Sequence, residues 1–227
     1  MKANVILSGL CSFVLIACSS GQINTGEAIA PFINENEITG FIERGDTYES
    51  VVLEYSLDTP NGDELQFASC PSIENTSESN VDTSQFYLLQ LIKKNCIAAK
   101  YYYQSLSTPV YKSYLPNAIN EEFIVNLPAT TVPDLGGQFL EQRSGILKEF
   151  EEKIEVLSES ENSIELALSD DLVINYVVMA RGDFNKDGIE DMILRLDWYI
   201  SSAFGKGFEL VSVTQKGEDK PYFVGRL

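Results

Sequence analysis

The chain has 227 residues, 44% of them hydrophobic, which is enough for a folded core and fits one or two domains. Its 34 acidic and 16 basic side chains give a formal charge of −18, a field that repels nucleic acid. It contains no histidine, so catalysis by Ser-His-Asp or Cys-His systems and His-ligated zinc, copper or iron sites are excluded.

The amino terminus reads MKANVILSGLCSFVLIAC. Lys2 precedes an apolar run of signal-peptide length, too short to span a bilayer of about 30 Å as a helix. The run ends Leu15-Ile16-Ala17-Cys18, which resembles the bacterial lipobox. That resemblance implies cleavage of a signal peptide, residues 1–17, and acylation of the Cys18 thiol and new amino terminus, palmitate included. Several acyl chains anchor a protein where one gives only marginal binding. The next residue is Ser19 rather than Asp, which in such lipoproteins implies the outer membrane. The expected location is therefore the bacterial cell envelope, facing the periplasm or the surface. The expected partners are the lipid bilayer through acylated Cys18 and an envelope protein or glycan.

Residues 18–38 are rich in Gly, Ser, Asn and Glu and lack sustained periodicity, so they are expected to form a flexible tether. About 19 such residues have a root-mean-square reach near 25 Å. Of four cysteines, Cys11 leaves with the signal and Cys18 carries lipid. Cys70 and Cys96 remain, and an oxidising compartment is expected to join them.

Residues 39–144 read as mainly helical. Asp82 or Thr83 caps a long helix in which Leu88, Ile92, Cys96, Ala99 and Tyr103 share one face. Shorter helices are expected at 47–55 and 120–126. Pro109, Pro116, Pro128 and Pro133 break the stretch after the long helix into short pieces. Tyr101, Tyr102 and Tyr103 point about 100° apart on a helix, so they read as core and rim rather than a stacking platform.

From about residue 145 the pattern changes to short apolar or alternating runs at 154–157, 163–168, 171–179, 191–201, 207–215 and 222–225, bounded by Ser, Asn, Asp or Gly. This predicts an antiparallel meander over 145–227, with helices on one face. The expected fold class is α+β, N-terminal helices packed on a C-terminal antiparallel sheet. Trp198 reads as a packed sheet residue.

Between two expected strands lies Arg181-Gly-Asp-Phe-Asn-Lys-Asp-Gly-Ile-Glu-Asp191. Asp183, Asn185, Asp187 and Asp191 occupy positions 1, 3, 5 and 9 of a loop, with Gly188 at position 6 and the Ile189 carbonyl available at position 7. Ca²⁺ takes six to eight oxygen ligands, and alternate residues of a coiled loop turn their oxygens to one centre. Mg²⁺ needs a tighter octahedral cage. Position 12 is Leu194, and a strand comes next, so this is not an EF-hand. The segment GDFNKDGIEDMIL resembles instead the calcium loops of FG-GAP and VCBS-type repeats. The resemblance covers about 15 residues and one copy, so it implies a calcium loop set in a small sheet domain rather than a propeller. Asp183 is then the first ligand, which sets the Arg-Gly-Asp tripeptide aside as an adhesion motif. Asn75-Thr76-Ser77 matches a glycosylation acceptor that a bacterial lipoprotein does not use.

These residues predict a membrane-anchored, calcium-stabilised envelope lipoprotein acting as a structural or interaction module, with no catalytic residue assigned. The alternatives are a carboxylate-dependent, glycosidase-like envelope hydrolase, for which paired acids need no histidine, and a periplasmic small-ligand-binding protein. The adjacent acids Asp170-Asp171 and Glu121-Glu122 stand in no recognisable catalytic motif and suit a turn and a helix start.

Overall fold

In the computed structural model, which describes residues 27–227, the six expected C-terminal runs are six strands in sequential antiparallel order. They are β5 (Ile154–Glu159), β6 (Ser163–Leu168), β7 (Leu172–Gly182), β8 (Asp191–Ile200), β9 (Lys206–Gln215) and β10 (Tyr222–Arg226). A two-residue strand, β1 (Phe32–Ile33), joins the same sheet by pairing with Arg181 and Ala180 of β7. A second, three-stranded sheet contains β2 (Phe41–Glu43), β3 (Val52–Asp58) and β4 (Glu64–Ser69). The helices α1 (Cys70–Glu74), α2 (Phe86–Ser105), α3 (Glu121–Val125) and α4 (Leu147–Phe150) lie in the middle of the chain.

The fold is thus mixed helix and antiparallel sheet, but the helices do not come first. The segment 47–55, expected as a helix, is a single 3-10 turn running into β3. Val51, Leu53 and Leu57 are buried there, and their inward spacing has the period of two that belongs to a strand. The tether also ends earlier than expected. Ile29 bridges to Val110, β1 is paired, and Asn34 donates from its backbone N to Met179 O and from Nδ2 to Val178 O. The reason lies in β7: β6 pairs only with Val173 to Val177, leaving a free length of strand edge that β1 completes.

The helices do not sit on one face alone, because both faces of the large sheet are covered. On one, Val177, Met179, Ala180, Ile193 and Leu210 pack with α2 and the small sheet. On the other, Tyr176, Val178, Met192, Leu194, Leu196, Val211 and Val213 pack against Leu115, Ile119, Phe123, Leu127 and Leu147 of the proline-broken segment. This is why β7 is buried along its whole length except Asn175.

Within α2, Ile92, Cys96 and Ala99 point inward as expected, but Leu88 is 38% exposed and Tyr103 only partly buried. Leu89 and Tyr102 take the ends of the buried stripe. A helix has about 3.6 residues per turn, so a stripe of wider spacing precesses off the core face. Tyr102 and Tyr103 anchor the rim: Arg44 Nη1 donates to the Tyr102 hydroxyl at 2.7 Å, and Tyr103 donates to Gly45 O at 2.9 Å. Cys70 and Cys96 form a disulfide with Cα atoms 5.3 Å apart, tying the first residue of α1 to the middle of α2.

Candidate metal centre

Residues 183–190 connect β7 to β8 across the register pair Gly182–Asp191. Two positive φ angles turn the loop back: Gly188 at 80° and Lys186 at 66°. Gly188 takes the left-handed conformation that costs other residues strain. Gly182 is required for a different reason: a Cβ there would lie 2.5 Å from Ser105 Oγ of α2. The helix also touches the loop through Tyr101, whose ring meets Phe184 edge-on at 5.8 Å.

The side chains of the loop are organised by its own amides. Asp183 Oδ1 accepts from Asp187 N at 3.1 Å and Oδ2 from Gly188 N at 2.9 Å. Asn185 Oδ1 also accepts from Asp187 N, and Asp187 Oδ1 accepts from Ile189 N, both at 3.0 Å. Asp191 Oδ2 accepts from Phe184 N at 2.9 Å, while Asn185 Nδ2 donates to its Oδ1 at 3.2 Å. Asp183, Asn185, Asp187 and Asp191 are therefore knit into one loop, with Ile189 in its backbone. Among the described residues, no three His, Cys, Asp or Glu side chains converge into a ready-made metal cage.

The electrostatics of the loop are unbalanced. Asp183 is 1% exposed and Asp191 3%. Among the described residues, Lys216 Nζ approaches Asp187 at 3.6 Å and Arg181 Nη1 approaches Glu190 at 3.5 Å, while Asp183 and Asp191 have no basic partner. Burial pushes the Asp191 carboxyl above its ordinary range, against the pull of Thr214 and the Phe184 amide. Buried carboxylates are normally paired with a cation or bound to a metal. Each carboxylate oxygen has two lone pairs, so an oxygen holding one amide keeps one free for a cation. The donor set is all oxygen, which suits a hard divalent ion.

The loop is braced from outside. Tyr111 N donates to Gly188 O at 3.1 Å, and Glu190 N to Lys112 O at 2.8 Å. Next to these, Val110 O accepts from Ile29 N at 2.8 Å. The N-terminal segment, residues 110–112 and the loop thus form one contiguous strip. Arg181 of the Arg-Gly-Asp tripeptide is 8% exposed, so with Asp183 it is withdrawn from any adhesion partner.

Buried charge clusters were not read from the sequence, among them Arg143 with Glu151 at 2.7 Å. Arg195 makes a two-pronged bond to Asp197, at 2.6 and 2.8 Å, and also donates to Asn95 Oδ1 at 2.7 Å and Glu37 Oε2 at 2.9 Å. It joins the sheet to α2 and the N-terminal segment. A charge inside the apolar run DMILRLDWYI was the available signal. Arg181 and Glu190, 3.5 Å apart, flank the loop on its other side.

A cleft of about 860 Å³ lies between the proline-broken segment and the β9–β10 hairpin. Its polar side chains serve the fold. Asn120 Oδ1 caps α3 at Phe123 N, Asn126 Nδ2 donates to Glu122, and Gln215 Nε2 donates to the carbonyls of Glu218 and Lys220. Glu121 and Glu122 sit exposed in the first turn of α3, where negative charge is favourable. Trp198 packs in β8 over Gly207, where a Cβ would meet its ring at 3.0 Å. The lipobox, Cys18 and the first part of the tether lie outside the described residues. No helix among the described residues is long and apolar enough to cross a membrane. No family model, curated protein or solved structure matches the chain.

Proposed function

We propose that this chain is a membrane-anchored cell-envelope lipoprotein whose sheet domain is stabilised by Ca²⁺ and serves as a structural or interaction module. The observation that carries the calcium reading is the pair of buried carboxylates, Asp183 and Asp191, left without a basic partner in a DxNxDGxxD loop. Asp183, Asn185, Asp187 and Asp191 would supply side-chain oxygens and Ile189 its carbonyl. The ion would offset the carboxylate charge and fix the ends of β7 and β8, together with the bracing segment at 110–112. The role is structural, because the loop sits in the scaffold beside the point where the N-terminal segment joins the sheet. The anchoring half of the reading rests on Leu15-Ile16-Ala17-Cys18. An acylated Cys18 puts the chain on a bilayer, the outer membrane by its Ser19, with an envelope protein or glycan as the remaining partner.

Thermal unfolding of the purified protein in Ca²⁺ and in EGTA tests the metal. At 100-fold excess over Kd, bound Ca²⁺ adds about 2.7 kcal/mol, or roughly 5–10 °C for a domain of this size. Asp187→Ala removes one ligand, and that Ca²⁺-dependent increment should vanish. Its loss of the Ile189 amide bond should cost the same in both conditions. An unchanged melting temperature on adding Ca²⁺ to the wild type, or an increment that survives Asp187→Ala, would overturn the assignment.

A further inference from the structure

A cavity of about 260 Å³ opens beside the β1–β7 pairing, and two of its walls are charged side chains more than nine-tenths buried. One is Arg181, 8% exposed, and the other Glu190, 6% exposed. They are not closed on each other. Arg181 Nη1 and Glu190 Oε2 are 3.5 Å apart, well beyond the roughly 2.7–2.9 Å of a tight charge-assisted bond. Arg181 Nη2 donates to Asn117 O at 2.9 Å, and Ser113 Oγ donates to Glu190 Oε2 at 2.6 Å. These contacts hold both groups in place without using them up. A guanidinium has five N–H donors, and the bonds above engage two. Among the described residues Arg181 Nε and Glu190 Oε1 make no hydrogen bond, and neither is fully sealed from solvent.

A fixed guanidinium fork beside a fixed carboxylate is the complement of a molecule that carries a carboxylate and an ammonium on neighbouring atoms. The remaining walls agree. Glu161 adds negative charge at the rim, favouring an ammonium and disfavouring a second carboxylate on the ligand. Phe32 and Ala30 offer an apolar wall for a short side chain. Sites for drug-sized ligands start near 300 Å³, so this cavity takes something smaller. We propose that it is a binding site for a free, small, zwitterionic amino acid, with the ligand carboxylate on Arg181 and its ammonium on Glu190. Glu190 belongs to the β7–β8 loop but is not one of the residues named as ligands of the ion, so the proposed site uses different side chains and stands whether or not Ca²⁺ binds.

Isothermal titration of the purified protein with each of the twenty free L-amino acids tests it, with acetate and methylamine as half-ligands. The expected result is saturable heat with one or a few small amino acids and at least about tenfold weaker binding of either half-ligand. Arg181→Gln and Glu190→Gln should each weaken binding at least about tenfold. Because each of these breaks a buried pair and could unfold the chain, Ala30→Trp provides a second route: the position is exposed, so the fold should tolerate it while the indole fills the cavity mouth. Loss of binding in Ala30→Trp at an unchanged melting temperature supports the site. Absence of saturable heat with all twenty amino acids overturns it. So does acetate binding as tightly as the best amino acid, or binding that Ala30→Trp leaves intact.

Discussion

Tyr176 is fully buried, and its hydroxyl donates to Thr131 O at 2.9 Å under the proline-broken segment. Burial pushes its phenol far above the ordinary tyrosine range, only slightly opposed by Arg143. In the unfolded chain the same group titrates near pH 10. Above that pH the unfolded state therefore binds fewer protons than the native one, and stability must fall as pH rises. The urea midpoint should be insensitive to this group below about pH 9 and decline above about pH 10. In Tyr176→Phe the decline should be shallower by one proton. The variant should also lose about 0.5–1.5 kcal/mol at every pH for the missing hydrogen bond. An alkaline slope identical in the two proteins would show that another group drives the loss. Arg195 makes the complementary point: its charge is tolerated at the centre because Asp197, Glu37 and Asn95 all face it.

At the scale of elements, the disulfide binds the first helical turn after the small sheet to the long helix that carries the large one. It closes a sequence separation of 26, for which loop-closure entropy gives about 3–3.5 kcal/mol. The double variant Cys70→Ala/Cys96→Ala should melt roughly 6–14 °C lower by calorimetry. A shift under about 2 °C would mean that core packing alone holds α1 on α2. This bridge was legible because an export signal and an even pair of remaining cysteines were both visible in the sequence. The six strands β5 to β10 were legible for a related reason: each run is short and closed by Ser, Asn, Asp or Gly. Local pattern failed where tertiary context decides. Val51, Leu53 and Leu57 alternate over too short a span to announce β3, and β1 exists only because β6 leaves part of β7 unpaired. The loop's residues were legible from their spacing. The bracing by residues 110–112 and the Arg181–Glu190 cavity were not, since both depend on chain segments far apart in sequence.

At the scale of the whole molecule, charge and anchoring constrain each other. A protein of formal charge −18 gains nothing from lying on an anionic lipid surface. If it resides on a membrane, the attachment must be apolar and confined to one place. The N-terminal segment joins the sheet at β1, beside the candidate loop, so the chain enters the sheet at that end of β7. The opposite end, where β8 turns into β9 at residues 201–205, lies about ten residues along the strands, roughly 33 Å away. Its Phe204 is fully solvent-exposed at the hairpin tip. Metabolic labelling with palmitate should therefore mark the wild-type protein and fail to mark Cys18→Ala. The unlabelled variant should leave the membrane fraction completely, even at low ionic strength, because a formal charge of −18 gives no net attraction to anionic lipid. Label retained by Cys18→Ala would remove the lipobox reading. An unlabelled variant that stays with the membrane would place a second, protein-mediated attachment on the folded domain.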